Sequence, residues 1–311
     1  MAIRIPEAVE VNPAMIAKPG DHELSDHLER GRVLIFPTPP IELPSEEDIR
    51  FLRECTPEFH TRKNVSYYPQ ASQLRGIKAP AEIQGRTKAI LRDYQIRVER
   101  RLQQLIPSLA RGWTSATTSL RVFEEADRSI PLRSRSDRLH LDAGTYGASR
   151  GDLILRFFTN LSDEDRVWKC KGTAPDLIET LGEAAGIRRG NVLRDSFLNR
   201  VGTGLIRGVA PVFPLVRVLE QSAYDQAMRR MHNYMKASEE FHRDPEGMVQ
   251  IRFKPRSCWM VFADMAGHAC ESGQFALINT FMVPRQNFRS PEFTPWEALR
   301  RFGARESALV Q

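Results

Sequence analysis

The chain has 311 residues, of which 41% are hydrophobic, so it has enough apolar material for one large domain or two small ones. It carries 45 Lys and Arg against 39 Asp and Glu, and the net charge of +6 suits an anionic partner. The basic excess comes with no zinc-finger spacing, helix-turn-helix signature or RNA-recognition pattern, and no apolar run reaches about 18 residues. The composition therefore favours neither a nucleic-acid-binding protein nor a membrane-spanning one.

The N-terminal stretch MAIRIPEAVEVNPAM has acids and prolines where a secretory signal would need an unbroken apolar core. The four cysteines lie mostly far apart and form no CxxC pair, which is typical of free thiols in a reducing compartment. Both features predict a cytoplasmic protein. The oligomeric state is not indicated.

The first predicted strand is Val33 to Phe36 in GRVLIFPTPP, which the following prolines end. From Ala81 to Ile106, apolar residues recur at steps of three and four with charges between them, which predicts a long amphipathic helix. Residues from about 174 to 244 are predicted to be mainly helical and to form an insertion between β-rich regions.

Six runs are rich in aromatic and β-branched residues or otherwise typical of strands. They are TSLRVFE around Arg121, RSDRLHLDAGTYG from Arg135, DLILRFFTNL from Asp152, VQIRF from Val249, SCWMVFADM from Ser257 and QFALINTFMV from Gln274. No glycine-rich loop between a strand and a helix indicates a nucleotide fold. The pattern predicts an α+β, mainly β protein built on an antiparallel sandwich or barrel.

Within RSDRLHLDAGTYG, His140 and Asp142 stand two residues apart. On an extended strand this spacing places the imidazole and the carboxylate on one face, where they can converge on one point. It suits a metal site, and it equally suits an ordinary hydrogen-bonded pair at the surface.

A metal site needs a third ligand, and His268 is the best candidate. It lies in FADMAGHACESGQFALINTFMVP, where we expect it just after one strand and before another, with Gly267 and Gly273 allowing tight turns. The sequence predicts surface positions for His22, His27, His232 and His242. Two His and one carboxylate form the facial triad of Fe(II) oxygenases, although a zinc hydrolase uses the same ligand types.

The runs RLHLDAG, DLILRFFTNLS and FADMAGHACESGQFALINTF resemble the Fe(II)/2-oxoglutarate-dependent dioxygenases. More narrowly, the surroundings of His268 and the run PRQNF resemble the Kdo hydroxylases, which hydroxylate C3 of the sugar acid Kdo on Kdo₂-lipid A. The resemblance covers most of the chain from about Gly31 to Phe288. It implies a double-stranded β-helix (jelly-roll) core with flanking helices, in a single domain of residues 1–311 with the helical insertion at about 174–244.

The resemblance also implies Fe(II) bound by His140, Asp142 and His268, with 2-oxoglutarate and O₂ as co-substrates. Many members of the superfamily have the arginine that binds 2-oxoglutarate about ten residues after the distal His, where this chain reads Leu-Ile-Asn-Thr. Arg156 is the preferred substitute, because a guanidinium among apolar strand residues needs an anion. Arg121 is its helper or a ligand of the sugar carboxylate, and Arg285 is the fallback. A structural pair with a local acid is the competing interpretation.

Weaker signals concern the co-substrate pocket and the membrane. Trp168 follows an acidic turn and either forms a wall of the pocket or packs in the core. Arg133, Arg135 and Arg138 either bind lipid A phosphates or sugar carboxylates, or lie in a solvated loop. The segment from Phe197 to Leu219 is too interrupted by Arg and Pro to span a membrane, and it either lies on an anionic leaflet or packs on the barrel.

The resemblance therefore implies a peripheral enzyme at the inner face of a bacterial inner membrane, with Kdo₂-lipid A as its partner. A phytanoyl-type oxygenase acting on another acidic lipid or small molecule is the alternative enzyme. A lipid-binding barrel without catalysis is the alternative outside enzymes, and it would keep its lipid affinity after loss of His140 and Asp142.

Overall fold

The computed structural model describes residues 3–17, 22–124, 131–132, 135–144, 149–190, 192–194 and 222–304. Its strands are β1 Ala8–Glu10, β2 Val33–Phe36, β3 Val65–Tyr68, β4 Gln73–Arg75, β5 Thr114–Arg121, β6 Leu153–Asn160, β7 Arg166–Thr173, β8 Met248–Phe253, β9 Cys258–Phe262, β10 Ala266–Ser272 and β11 Ala276–Val283. Its α-helices are α1 Pro13–Ile16, α2 Glu23–Glu29, α3 Glu46–Glu54, α4 Ala81–Leu105, α5 Pro107–Ala110, α6 Ala174–Leu181, α7 Ala223–Ala237, α8 Glu239–Arg243 and α9 Pro295–Ala304.

The strands form two sheets. The major sheet has eight strands in the order β1-β2-β9-β6-β11-β5-β3-β4, and the minor sheet has three in the order β10-β7-β8. All described pairings are antiparallel except that of β1 with β2. This is the jelly-roll type of architecture that the sequence predicts.

The two sheets pack face to face. One buried cluster joins Phe158, Trp259 and Ile278 of the major sheet to Trp168 and Phe253 of the minor sheet. Within this cluster the rings of Trp259 and Phe253 stack with their centroids 4.0 Å apart. The aromatic cluster therefore fixes the spacing of the sheets beside the cavity that lies between them.

Strand alternation gives the major sheet a second buried face. On β6, Leu155 and Phe157 point away from the minor sheet and pack against the long helix α4. Helix α4 contributes Leu91, Tyr94 and Val98 to that cluster, at helical spacing. The helix predicted from Ala81 is therefore confirmed, and it backs the sheet that carries the cavity.

The predicted helical insertion is described only in part, because residues 191 and 195–221 lie outside the described ranges. Helix α7 starts with a capping box in which Ser222 and Asp225 bond each other's backbone N–H groups. Met228, Met231 and Met235 form its buried face beside helices α6 and α9. In the described part of the chain, no helix is long and apolar enough to cross a bilayer.

Candidate active site

The His140–Asp142 segment is extended, but it is not the strand that the sequence predicts. His140 makes a single antiparallel bridge with His268, in which each backbone N–H donates to the carbonyl oxygen of the other residue at 3.0 Å. Two residues later, the N–H of Asp142 donates to the carbonyl of Ala263 at 2.9 Å. These bonds hold the segment to β10 and to the connection between β9 and β10, without a continuous ladder.

The expectation that His268 lies in a turn between two strands is also wrong. His268 lies inside β10, opposite Cys170 of β7. Of the two glycines expected to form tight turns, Gly273 has a left-handed φ of 123°, and Gly267 is part of the strand. His268 is thus held by strand pairing on one side and by the bridge to His140 on the other.

His140, Asp142 and His268 converge on one point. Each offers one ligand atom, and these atoms lie within 4.8 Å of one another in a group of three buried side chains. The Nδ1 atom of His140 donates to the carbonyl of Arg138 at 2.7 Å, and that of His268 donates to the carbonyl of Ala266 at 3.0 Å. Both Nε2 atoms are therefore left to act as ligands, the usual arrangement around metal-binding histidines.

The charge states of this group suit a metal as well. Burial lowers the pKa of both His140 and His268, so both imidazoles are neutral at neutral pH. Burial alone would raise the pKa of Asp142, but Arg156 and the two imidazoles outweigh it and hold that pKa well below its usual value. Two neutral imidazoles and one carboxylate at the wall of an open cavity fit Fe(II) with positions left for co-substrates.

The cavity beside this group has a volume of about 290 Å³. The major sheet supplies one wall, with alternate residues of β5, β6 and β11 facing inwards. The minor sheet supplies His268 and Cys270, which are also two residues apart. The residues that line the cavity from the major sheet are Ser119, Arg121, Arg156, Phe158, Ile278 and Thr280.

The structure brings both predicted strand arginines to this wall. A terminal nitrogen of Arg156 lies 2.8 Å from Oδ2 of Asp142, while its buried Nε has no hydrogen-bond partner among the described residues. Burial and the nearby Arg166 lower the pKa of Arg121 to about 9, so its guanidinium stays charged at neutral pH. Arg156 therefore has a donor to offer an anion in the cavity, and Arg121 adds positive charge beside it.

The other two predicted binding residues lie elsewhere. The guanidinium of Arg285 stacks on the ring of Trp296 at 3.9 Å, and Arg285 is not among the described residues that line the cavity. Trp168 also lies outside that lining and stacks behind His268, with ring centroids 4.9 Å apart. Trp168 thus packs against the ring of His268, one of the three candidate metal ligands.

Sequence reasoning missed three basic residues of the described lining. His232, predicted to be a surface histidine, faces the cavity from helix α7, and Lys236 follows it one helical turn later. Lys63, just before β3, also lines the cavity and donates to the hydroxyl of Ser136. A signal was present in α7, because His232 and Lys236 directly follow the buried Met231 and Met235 and so border the apolar face of the helix.

The predicted membrane-contact residues are only partly described. Arg135 pairs with Asp137, and Arg138 pairs with Glu239 at 2.6 Å while donating to the carbonyl of Lys236 at 2.9 Å. Arg133 and the segment of residues 197–219 lie outside the described residues.

Comparison with known proteins identifies a family. The model of the family described as 3-deoxy-D-manno-oct-2-ulosonic acid (Kdo) hydroxylase matches residues 12–306. A comparison with the curated proteins gave no match.

Solved structures agree with the family match. The chain is similar to the apo form of the Kdo hydroxylase KdoO, a non-heme Fe(II) alphaketoglutarate dependent dioxygenase, with 25% identity, a TM-score of 0.77, and coverage of 98% of this chain and 96% of the other. The same identity, coverage and TM-score hold for the KdoO complex with alphaketoglutarate and Fe(III) and for the complex with cobalt(II).

Proposed function

Because the chain belongs to the Kdo hydroxylase family, we propose that it hydroxylates C3 of Kdo on Kdo₂-lipid A, at an anionic membrane surface. Membership makes it a 2-oxoglutarate-dependent dioxygenase that uses Fe(II) and acts on a Kdo-containing substrate. The observation that carries the proposal is the buried group of two neutral imidazoles and one carboxylate at the cavity wall.

His140, Asp142 and His268 would hold the iron. Bound Fe(II) with 2-oxoglutarate and O₂ supplies the oxidising chemistry, in which one oxygen atom enters a C–H bond of the substrate and the other enters succinate as CO₂ leaves. The hydrogen bonds from both Nδ1 atoms to backbone carbonyls orient the two imidazoles, with each Nε2 available to the metal. The bridge between the backbones of His140 and His268 fixes the separation of the two imidazoles.

Arg156 is the proposed partner of the distal carboxylate of 2-oxoglutarate, with Arg121 as its helper. The support is the buried Nε of Arg156, which has no hydrogen-bond partner in the described part of the chain, and the position of both residues on one wall. A guanidinium can bind a carboxylate through two parallel hydrogen bonds, which fixes orientation as well as affinity. Phe158 and Ile278 give that wall an apolar part that limits access of water to the reacting carbon.

Kdo₂-lipid A carries phosphates, carboxylates and acyl chains, so the proposed site of action is the inner face of the bacterial inner membrane. The net charge of +6 supports attraction to such a surface, where each basic residue contributes on the order of 1 kcal/mol, screened by salt. The basic run near Arg135 and the segment of residues 197–219 are the proposed contacts. The chain is proposed to act as one dioxygenase domain of residues 1–311 with its helical insertion at about 174–244.

The first test is an anaerobic titration with Fe(II) and 2-oxoglutarate. The bidentate complex has a visible charge-transfer band, and we expect it to form with wild type and to be lost in His268→Ala. Mass spectrometry of Kdo₂-lipid A after addition of O₂ should then show the gain of one oxygen. A wild-type enzyme that forms the band but adds no oxygen to Kdo₂-lipid A contradicts the substrate proposal.

Membrane association is tested separately by sedimentation with vesicles that contain Kdo₂-lipid A, at low and high salt. Reversal of Arg133 and Arg135 to Glu should weaken sedimentation at low salt, with Lys254→Glu on another part of the surface as the control. Equal sedimentation of the reversed protein and wild type argues against docking through this run.

A further inference from the structure

The cavity holds more positive charge than iron and 2-oxoglutarate require. Its described lining contains Lys63, Arg121, Arg156 and Lys236 but only one carboxylate, that of Asp142. These cations, together with Fe(II), exceed the negative charge of Asp142 and one 2-oxoglutarate dianion. Like charges gathered in a partly buried site repel one another, so a further anionic group entering the cavity is favoured.

The cations fall into two sets. Arg121 and Arg156 extend from the major sheet, where they are proposed to bind 2-oxoglutarate. The two lysines enter from other elements, Lys236 from the last turn of helix α7 and Lys63 from the connection before β3. The cavity thus offers a second cationic group that the co-substrate does not need.

Lys236 is held in place by its surroundings. Its side chain is only 3% exposed, which is rare for a lysine, because burial removes the hydration of the ammonium group. Lys236 lines the same cavity as His140, Asp142 and His268. Its ammonium interacts electrostatically with Asp142 and Asp137 and with two arginines, Arg121 and Arg156. Its backbone carbonyl accepts a bond from Arg138, which pairs in turn with Glu239 of helix α8.

Lys63 is tied to the minor sheet. It donates to the hydroxyl of Ser136, and the carbonyl of Ser136 accepts the backbone N–H of Cys270 at 2.7 Å. Cys270 lies two residues after His268 on β10, so its side chain reaches the same face. Both lysines therefore have positions fixed relative to the iron ligands.

The substrate has an anionic group next to the carbon that reacts. Kdo is a 2-ulosonic acid with a 3-deoxy position, so its C1 carboxylate is bonded to C2, and C2 is bonded to C3. A contact that fixes the carboxylate fixes C3 two bonds away. We propose, on the basis of the proposed function, that Lys236 with Lys63 binds the C1 carboxylate of the Kdo unit and thereby positions C3 towards the iron.

The test compares Lys236→Met and Lys63→Met with wild type in the full chain loaded with Fe(II). Methionine keeps much of the side-chain length but removes the charge. We expect the KM for Kdo₂-lipid A to rise about tenfold or more, because a hydrogen bond to a charged group is worth roughly 1.5–3 kcal/mol. The matched control is Lys254→Met, because Lys254 pairs with Asp165 at the surface, and it should behave as wild type.

A second measurement separates carboxylate recognition from a structural role. The α-methyl glycoside of Kdo and its C1 amide are tested as competitive inhibitors of Kdo₂-lipid A hydroxylation. Wild type should prefer the acid by about tenfold or more, and Lys236→Met should lose this preference, since only the acid can use the charge. Lys236→Arg should keep part of the preference.

The outcomes are distinct from those of the proposed function. If wild type adds no oxygen to Kdo₂-lipid A, the substrate proposal fails. If wild type hydroxylates it but acid and amide inhibit equally, or if both methionine variants keep the wild-type preference for the acid, the lysine assignment is overturned. If Lys236→Met fails to fold, Lys63→Met and Lys236→Arg test the lysine assignment instead. The measurement is again the ratio of the inhibition constants of the acid and the amide.

Discussion

His232 donates a hydrogen bond from Nδ1 to the carbonyl oxygen of Leu141, at 2.7 Å. Leu141 is the residue between His140 and Asp142, so helix α7 is bonded directly to the backbone that carries two of the three proposed ligands. The imidazole of His232 also meets that of His140 edge to face, with centroids 5.0 Å apart. Helix α7 thereby holds the ligand segment through the backbone at Leu141 and the ring of His140.

His232→Phe should therefore weaken iron binding. Phenylalanine keeps a ring beside His140 but cannot donate to Leu141, and loss of an outer contact of this kind typically costs 10- to 100-fold in metal affinity or activity. Anaerobic Fe(II) titration with saturating 2-oxoglutarate measures the change. His22→Phe is the control, because His22 is exposed and makes no capping bond. An unchanged iron affinity in His232→Phe would show that the Leu141 contact does not orient the ligands.

Asp142→Ala should abolish turnover and the charge-transfer band. It should also lower stability, because it leaves Arg156 without its 2.8 Å partner; removal of one member of a buried pair costs on the order of 3 kcal/mol, and less where an open cavity admits water. Urea unfolding of the iron-free proteins measures this cost. Asp93→Ala on the exposed face of α4 is the control. Full 2-oxoglutarate turnover by Asp142→Ala contradicts its role as a ligand.

Arg156→Leu should raise the Kd for 2-oxoglutarate by roughly ten- to hundredfold, because a charge-assisted contact is worth about 1.5–3 kcal/mol. The Kd is read from the charge-transfer band at saturating Fe(II). Arg285→Leu is the matched comparison, since Arg285 stacks on Trp296 outside the described cavity lining, and it should keep the wild-type Kd. A large effect of Arg285→Leu with none of Arg156→Leu would move the assignment to Arg285.

Asp264 predicts a pH dependence of stability. Burial raises the pKa of this carboxyl to about 7, while the backbone N–H of Ile154 donates to it at 3.2 Å. Between about pH 4 and pH 7 the native state keeps a proton that the unfolded chain releases, so this contribution to stability is lost as the pH rises. Asparagine can accept the same bond but cannot ionise.

Asp264→Asn should therefore lose less stability than wild type between pH 5 and pH 8, by up to about 3 kcal/mol. The free energy of unfolding in urea at the two pH values measures this difference in the iron-free proteins. Asp93→Asn serves as the exposed control. If Asp264→Asn and wild type show the same change with pH, Asp264 does not hold a proton in the native state.

The sequence predicts those elements whose own pattern is strong. Helix α4 starts at Ala81 as predicted, because its apolar period continues over 25 residues, and β2 has the predicted bounds. Strand β10 was missed because its sequence AGHACES has no β-branched or large apolar residue; its conformation comes from pairing with β7. Strand β7 was missed because it buries Arg166 and Lys171, which removes the expected alternation.

The site residues likewise divide into those that the sequence pattern identifies and those that depend on tertiary contacts. His140, Asp142 and His268 could be selected because few residue types bind metals and their spacing narrows the choice. Lys236 borders the apolar face of α7, but this position alone does not distinguish it from a lysine that extends to solvent, and only the tertiary contacts of α7 place it at the cavity.

Only one isolated β-bridge pairs His140 with His268, so the proposed iron would stabilise the attachment of the ligand segment to β10. Backbone hydrogen bonds join the segment with His140 and Asp142 to His268 of β10 and to Ala263, and a metal bound by His140, Asp142 and His268 would add a further link between this segment and β10. A metal that binds only when the three side chains are together stabilises the attached segment by mass action. Loading with a redox-inert divalent metal should therefore slow proteolytic cleavage on either side of the ligand segment, so that resistance to a protease reports metal occupancy without any turnover.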